Sequence, residues 1–139
     1  MPNIQDINTA VYRILKADEE LAELCTVYKG AKRPVRASNP SLTVENRHLE
    51  PGEGEGIWMC DVAVTVYTDM LANGTPDMET LEAVMSRATV LLADAELELD
   101  GAKALPLIEG ENAGTVWQPA HEGEAFQERV FGLVFVSFQ

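Results

Sequence analysis

The sequence is poor in everything that usually announces chemistry. It has two cysteines, two histidines and an aromatic content of 6% in 139 residues. Two cysteines are too few for a disulfide framework, and no C-x-x-C pair exists to hold a structural metal. Neither histidine sits in an H-x-x-x-H or H-E-x-x-H arrangement. Long apolar runs are also missing. The longest charge-free stretches span ten residues, as in Val130–Gln139, against the roughly 20 that a bilayer-spanning helix needs. The first 20 residues carry Asp6, Arg13, Lys16 and Asp18 and contain no apolar signal core, so no secretory leader is expected. Reduced thiols and synthesis in a cytoplasm follow as the default.

Basic residues are scarce as well. Ten Lys and Arg face 23 Asp and Glu, giving a net charge of −13. The imbalance is uneven: residues 1–47 hold seven basic and six acidic side chains, whereas residues 48–139 hold three and seventeen. A chain so acidic repels phosphate, and a DNA-gripping role is excluded. What is present is ordinary core material. Apolar residues make up 46% and charged ones 24%, the proportions of a folded globular chain, and the length suits a single domain over residues 1–139.

Periodicity supplies the elements. Ile4, Ile7, Val11, Ile14 and Leu15 recur at helical spacing, and Asp18 is placed to cap a short second helix through Leu21 and Leu24. Residues 29–41, with two prolines and a Ser-Asn-Pro turn, read as a loop. A strand is expected at 42–48, a glycine-rich hairpin connection at 50–56, and a strongly alternating strand at 57–68, with Trp58, Cys60, Val62, Val64 and Val66 on one face. After a turn at 69–76, Pro76 is expected at the first position of a long helix. Its apolar stripe runs Met78, Leu81, Val84, Met85, Ala88, Leu91 and Leu92, and its polar side is Glu79, Glu82, Ser86 and Arg87. Short strands follow at 97–99, at Ala104–Glu109 and at Thr115–Gln118, the last two separated by an acidic GENAG turn. The closing strand 126–138 is apolar on both faces. Such a strand belongs in the middle of a sheet with both faces covered. The expected fold is α+β: a mixed, mostly antiparallel sheet with two or three helices on one face. A second copy of the chain is the natural cover for the other face.

No catalytic or cofactor-binding arrangement emerges. His48 and His121 read as loop residues, Cys60 as packing, and EGEGEG lacks the spacing and the neutrality of a phosphate cradle. Cys25, His48 and His121 form a site only if the fold converges them. Lys29, Lys32, Arg33 and Arg36 make the one basic patch, suited to the acidic surface of another copy.

The order of these elements resembles that of the tail completion, or tail terminator, proteins of long-tailed bacteriophages and their prophages. The resemblance rests on INTAVYRILKADEELAELCTVYKGAKRP (7–34), with its L-x-A-D-x-x-L-A stretch and basic-proline loop. It continues in VAVTVYTDM (62–70) leading into DMETLEAVMSRATVLLA (77–93), and in the closing RVFGLVFVSF (129–138). It implies a structural protein rather than an enzyme, with no cofactor and no membrane partner. Such proteins form a ring, commonly a hexamer, that ends tail-tube growth and meets the head connector. It acts in the bacterial host cytoplasm during assembly and resides in the virion tail. On that reading Lys32, Arg33, Arg36, Met70, Leu71 and Asn73 contact neighbouring subunits or the tube. Acids from 94–124 line a channel through which DNA passes without being bound. Reversing Arg33 and Arg36 is expected to weaken the ring. Two other readings stay open: a head–tail connector adaptor or other minor tail subunit, and a small-ligand or protein-binding module using the apolar sheet face.

Overall fold

The structure, a computed structural model, describes residues 4–34, 37–118 and 123–138. Helix α1 (Ile4–Lys16) buries Ile7, Val11 and Leu15, four residues apart on one face. Its last turn carries Arg13 and Lys16, where cations complement the helix dipole. The short α2 (Glu19–Leu24) is capped as the sequence predicts, the Leu21 N–H donating to the Asp18 carboxylate at 2.8 Å.

Helix α3 (Met78–Leu92) begins later than expected. Pro76 is not its first residue; it bridges back to Met70 across the preceding loop, and Asp77 is the cap. The reason is chemical: the Asp77 carboxylate accepts from both the Thr80 N–H and its hydroxyl, at 3.2 and 2.8 Å, which proline cannot do. Leu81, Val84, Met85, Ala88 and Leu92 are buried as expected, while Met78 stays exposed.

Arg87, read from the sequence as part of the solvated side, ties α3 to α2. Its guanidinium forks onto both Asp18 oxygens at 2.9 and 2.7 Å and reaches Glu20 at 3.1 Å. The Arg87 hydrogen bonds hold the Asp18 carboxyl down at about 2 against an ordinary 3.8, with the Leu21 N–H assisting. A depressed carboxylate contributes stability that is full above the unfolded value and lost as pH falls through the folded one. Stability is therefore expected to decline from about pH 4 to about pH 2. Asp18→Asn should lower the melting temperature at pH 7 and flatten that part of the acid limb. An unchanged limb in the variant would remove Asp18 from the account.

Seven strands form one sheet: β1 (Thr26–Lys29), β2 (Ser41–Pro51), β3 (Ile57–Asp69), β4 (Glu98–Leu99), β5 (Ala102–Ala104), β6 (Ile108–Gln118) and β7 (Glu124–Ser137). Their order is β1-β2-β3-β7, after which β7 pairs with β6 along most of its length and with β5, then β4, at its end. Among the described residues only β1 and β2 run parallel; the other pairs are antiparallel. The expected α+β class holds, and so does the interior position of the closing strand.

Register puts Val62 opposite Phe131, Cys60 opposite Leu133 and Trp58 opposite Phe135. These share one face with Leu42 and Val44 of β2, and that face meets the buried sides of all three helices.

Two stretches depart from the sequence reading. The presumed loop 29–41 starts only after β1 and opens with a 3-10 turn at Gly30–Lys32. The two strands expected around GENAG are instead β5 and one long β6 running through it, with register irregularities between Glu109 and Asn112 and between Asn112 and Thr115. Glycine and acids read as turn chemistry; here they belong to a bulged edge strand.

Candidate assembly surface

The side of the sheet opposite the helices carries alternate residues of β3 and β7. At its centre the face is closed by ionic side chains. Arg47 reaches Glu128 at 2.9 Å and Glu45 at 3.3 Å, and the Thr65 hydroxyl donates to Glu128 at 3.3 Å. These groups leave Ala63 and Thr65 buried without a covering helix. The Glu128 hydrogen bond pushes the Arg47 pKa further up, so the guanidinium stays charged.

One end of the face is apolar and open. Met59 is 41% exposed, Ile108 64%, Val136 37% and Phe138 71%. Met59 and Ile108 line a hollow of about 190 Å³ over Gly132, edged by His48, Glu50 and Asp61.

The other end gathers the two loops singled out in the sequence. Arg33 lies over the Tyr67 ring at 3.9 Å, and Tyr67 packs against Phe126 at 5.9 Å. Its Nε donates to the Ser41 hydroxyl at 2.9 Å, and its remaining donors reach Asn39 at 3.0 Å and the Glu124 carboxylate. Asn39 donates in turn to Asp69 at 2.9 Å and to Glu124 at 2.7 Å. Arg33 is thereby a clasp that ties itself and Asn39 to β3 and β7, its side chain only 13% exposed. Reversing it breaks this clasp, so such a variant reports on stability before it reports on a ring. Lys32 beside it is exposed. Arg36 and His121 lie outside the described residues.

Loop 69–76 is ordered by its own backbone. Leu71 N–H donates to Thr75 O at 2.8 Å, and the Asn73 side-chain oxygen accepts from the Thr75 N–H and hydroxyl at 3.1 and 2.6 Å. Met70 packs against the core, whereas Leu71 is 45% exposed. Leu71, Leu24, Pro40 and Met78 line a groove of about 770 Å³ between α2, the Pro40 turn and the start of α3. The sequence pointed to Leu71 but read Met78 as core; its exposure follows from its place at the first position of α3, whereas Leu24 is half-buried against the core.

Nothing among the described residues assembles into a reaction centre. Cys25 and Cys60 are buried and free, and burial pushes each thiol up to about 11. His48 is exposed at a bulge in β2, with φ +57. No group of three or more His, Cys, Asp or Glu suited to a metal occurs among the described residues. No helix there is long and apolar enough to cross a membrane. Both thiols are expected to resist alkylation by iodoacetamide at pH 8 in the native protein and to react in denaturant. Rapid native labelling of either would place it in an accessible position.

No protein-family model matches the chain, and no curated protein matches it in sequence. A solved structure does. The chain shares its fold with a chain from the virion of a native gene transfer agent particle. The TM-score is 0.77, and the match covers 94% of this chain and 95% of that one, at 19% sequence identity. At that identity the likeness is one of fold.

Proposed function

We propose that this chain is a structural subunit of a phage-like virion, and that within it the chain forms the ring that ends tail-tube growth and joins the tail to the head connector. The observation that carries the reading is the fold shared almost end to end with a chain of a gene transfer agent virion. Its support from within the chain is physical. The helix-free sheet face ends in an apolar group that a lone subunit leaves in water. A charge of −13 per chain, −78 over six copies, gives a ring that repels DNA in passage. Lys32, Arg36, Met70, Leu71 and Asn73 are the residues assigned to contacts with neighbouring subunits or the tube. The subunit would gather in the bacterial cytoplasm and end in the virion tail.

The ligand-binding alternative is weaker on size. The hollow on the apolar face, about 190 Å³, lies below the ~300–1,000 Å³ of small-molecule sites.

The test is deletion of the gene from a particle-producing host, followed by electron microscopy. Tails of uncontrolled length with unattached heads are expected. Tails of normal length that fail only to join heads would favour an adaptor, and normal particles would contradict the proposal.

A further inference from the structure

The two borders of the sheet carry opposite charge. On the β1 side lie Lys16 at the end of α1, Lys29 and Lys32. Tyr12 of α1 sits under the Lys29 ammonium at 5.4 Å, which fixes that end of the helix over β1. Helix α1 packs against β1 and β2 and also reaches β4. The acids nearest in sequence are on α2, which packs towards α3: Glu20 there is paired with Arg87, and Glu19 and Glu23 are exposed. Across the sheet, beyond β7, the border is built by β6 and the β4–β5 hairpin. Here Glu96, Glu98 and Asp100 are exposed, while Glu109 is taken by Arg129 at 2.5 Å. One cation, Lys103, sits among them.

Resting on the virion-ring reading, we infer that copies of this chain associate head to tail, the basic β1 border of one seating against the acidic β4–β6 border of the next. The two borders are different surfaces, so the contact is heterologous and repeats in one direction until a ring closes. A continuous β-ladder is not what joins them. β1 has four residues and β6 is interrupted by two register irregularities, features that blunt edge-to-edge pairing. Side-chain charge therefore supplies recognition, and exposed charges are screened over about 10 Å at 0.1 M salt.

The experiment uses the full chain in two variants, Lys16→Glu with Lys32→Glu, and Glu96→Lys with Glu98→Lys, each checked for fold by circular dichroism. Each presents two like borders, so each alone should lose at least tenfold in association at low salt by sedimentation velocity. Mixed in equal amounts they present alternating complementary borders and should recover the oligomer. If a reversal impairs folding, the Lys32→Gln and Glu98→Gln variants take its place, with smaller losses of the same sign. Two results overturn the inference and leave the virion role standing: wild-type protein that stays monomeric at low salt up to millimolar concentration, or an oligomer indifferent to both reversals. A mixture that fails to recover also overturns it.

Discussion

Phe131→Ala should cost about 3–5 kcal/mol of folding stability, the range for truncating a fully enclosed aromatic. Phe131 is wholly buried in β7, opposite Val62 on one side and Glu109 on the other. It stands where β7, flanked by β3 and β6, meets the helices, so its removal leaves a cavity that no single neighbour can fill. Urea denaturation followed by circular dichroism should show a lower midpoint at an unchanged slope. The matched control is Val136→Ala on the open end of the other face, 37% exposed in the same strand. It should cost well under half as much in the isolated chain. Equal losses at the two positions would mean that the faces of β7 are not distinguished as described.

Gly110→Ala is the second large effect. A Cβ at this position would lie 2.1 Å from the Val130 carbonyl oxygen, a backbone atom that cannot swing aside. Strand β6 would have to move off β7 or lose its pairing there, at a cost of at least the ~1–3 kcal/mol typical of overpacking. Gly132→Ala on the neighbouring strand is the contrast, since its nearest contact would be Ile108 Cβ at an ordinary 3.8 Å. That variant should unfold within a few degrees of the wild type. A well-tolerated Gly110→Ala would show that β6 does not run against β7 through this point.

Much of this architecture was legible because its signals are local. Alternation in Cys60, Val62, Val64 and Val66 gives β3 its buried face, and the two-faced pattern of 126–138 gives β7 its interior place. Asp18 announced its cap. What stayed hidden depends on partners distant in sequence. The Arg87 fork joins residues 69 apart, and the Arg33 clasp joins a loop to Glu124 across 91. Neither spacing leaves a pattern in one sequence. β1 was missed because TVYK is too short to show a period, and its pairing is parallel to a strand twelve residues later. β6 was missed because Gly110 and its acidic neighbours imitate a turn, although the glycine is there to let two backbones approach.

The assembly surface divides in the same way. Arg33 was visible as a cation in a basic loop, but only the fold shows its charge spent inside the chain. Leu71 and Asn73 could be picked out as loop residues, whereas the exposed group of Met59, Ile108, Val136 and Phe138 comes from three separate stretches of chain. Opposite charge at the two borders was foreshadowed by the split between residues 1–47 and 48–139, but its geometry was not.

Self-assembly is the central claim, and multi-angle light scattering of the full chain at low ionic strength, over a range of concentrations, tests it most directly. The account predicts a species several times the 15.2 kDa chain mass, about 91 kDa for six copies, that dissociates as salt is raised. A mass of 15.2 kDa at every concentration and every ionic strength would contradict it.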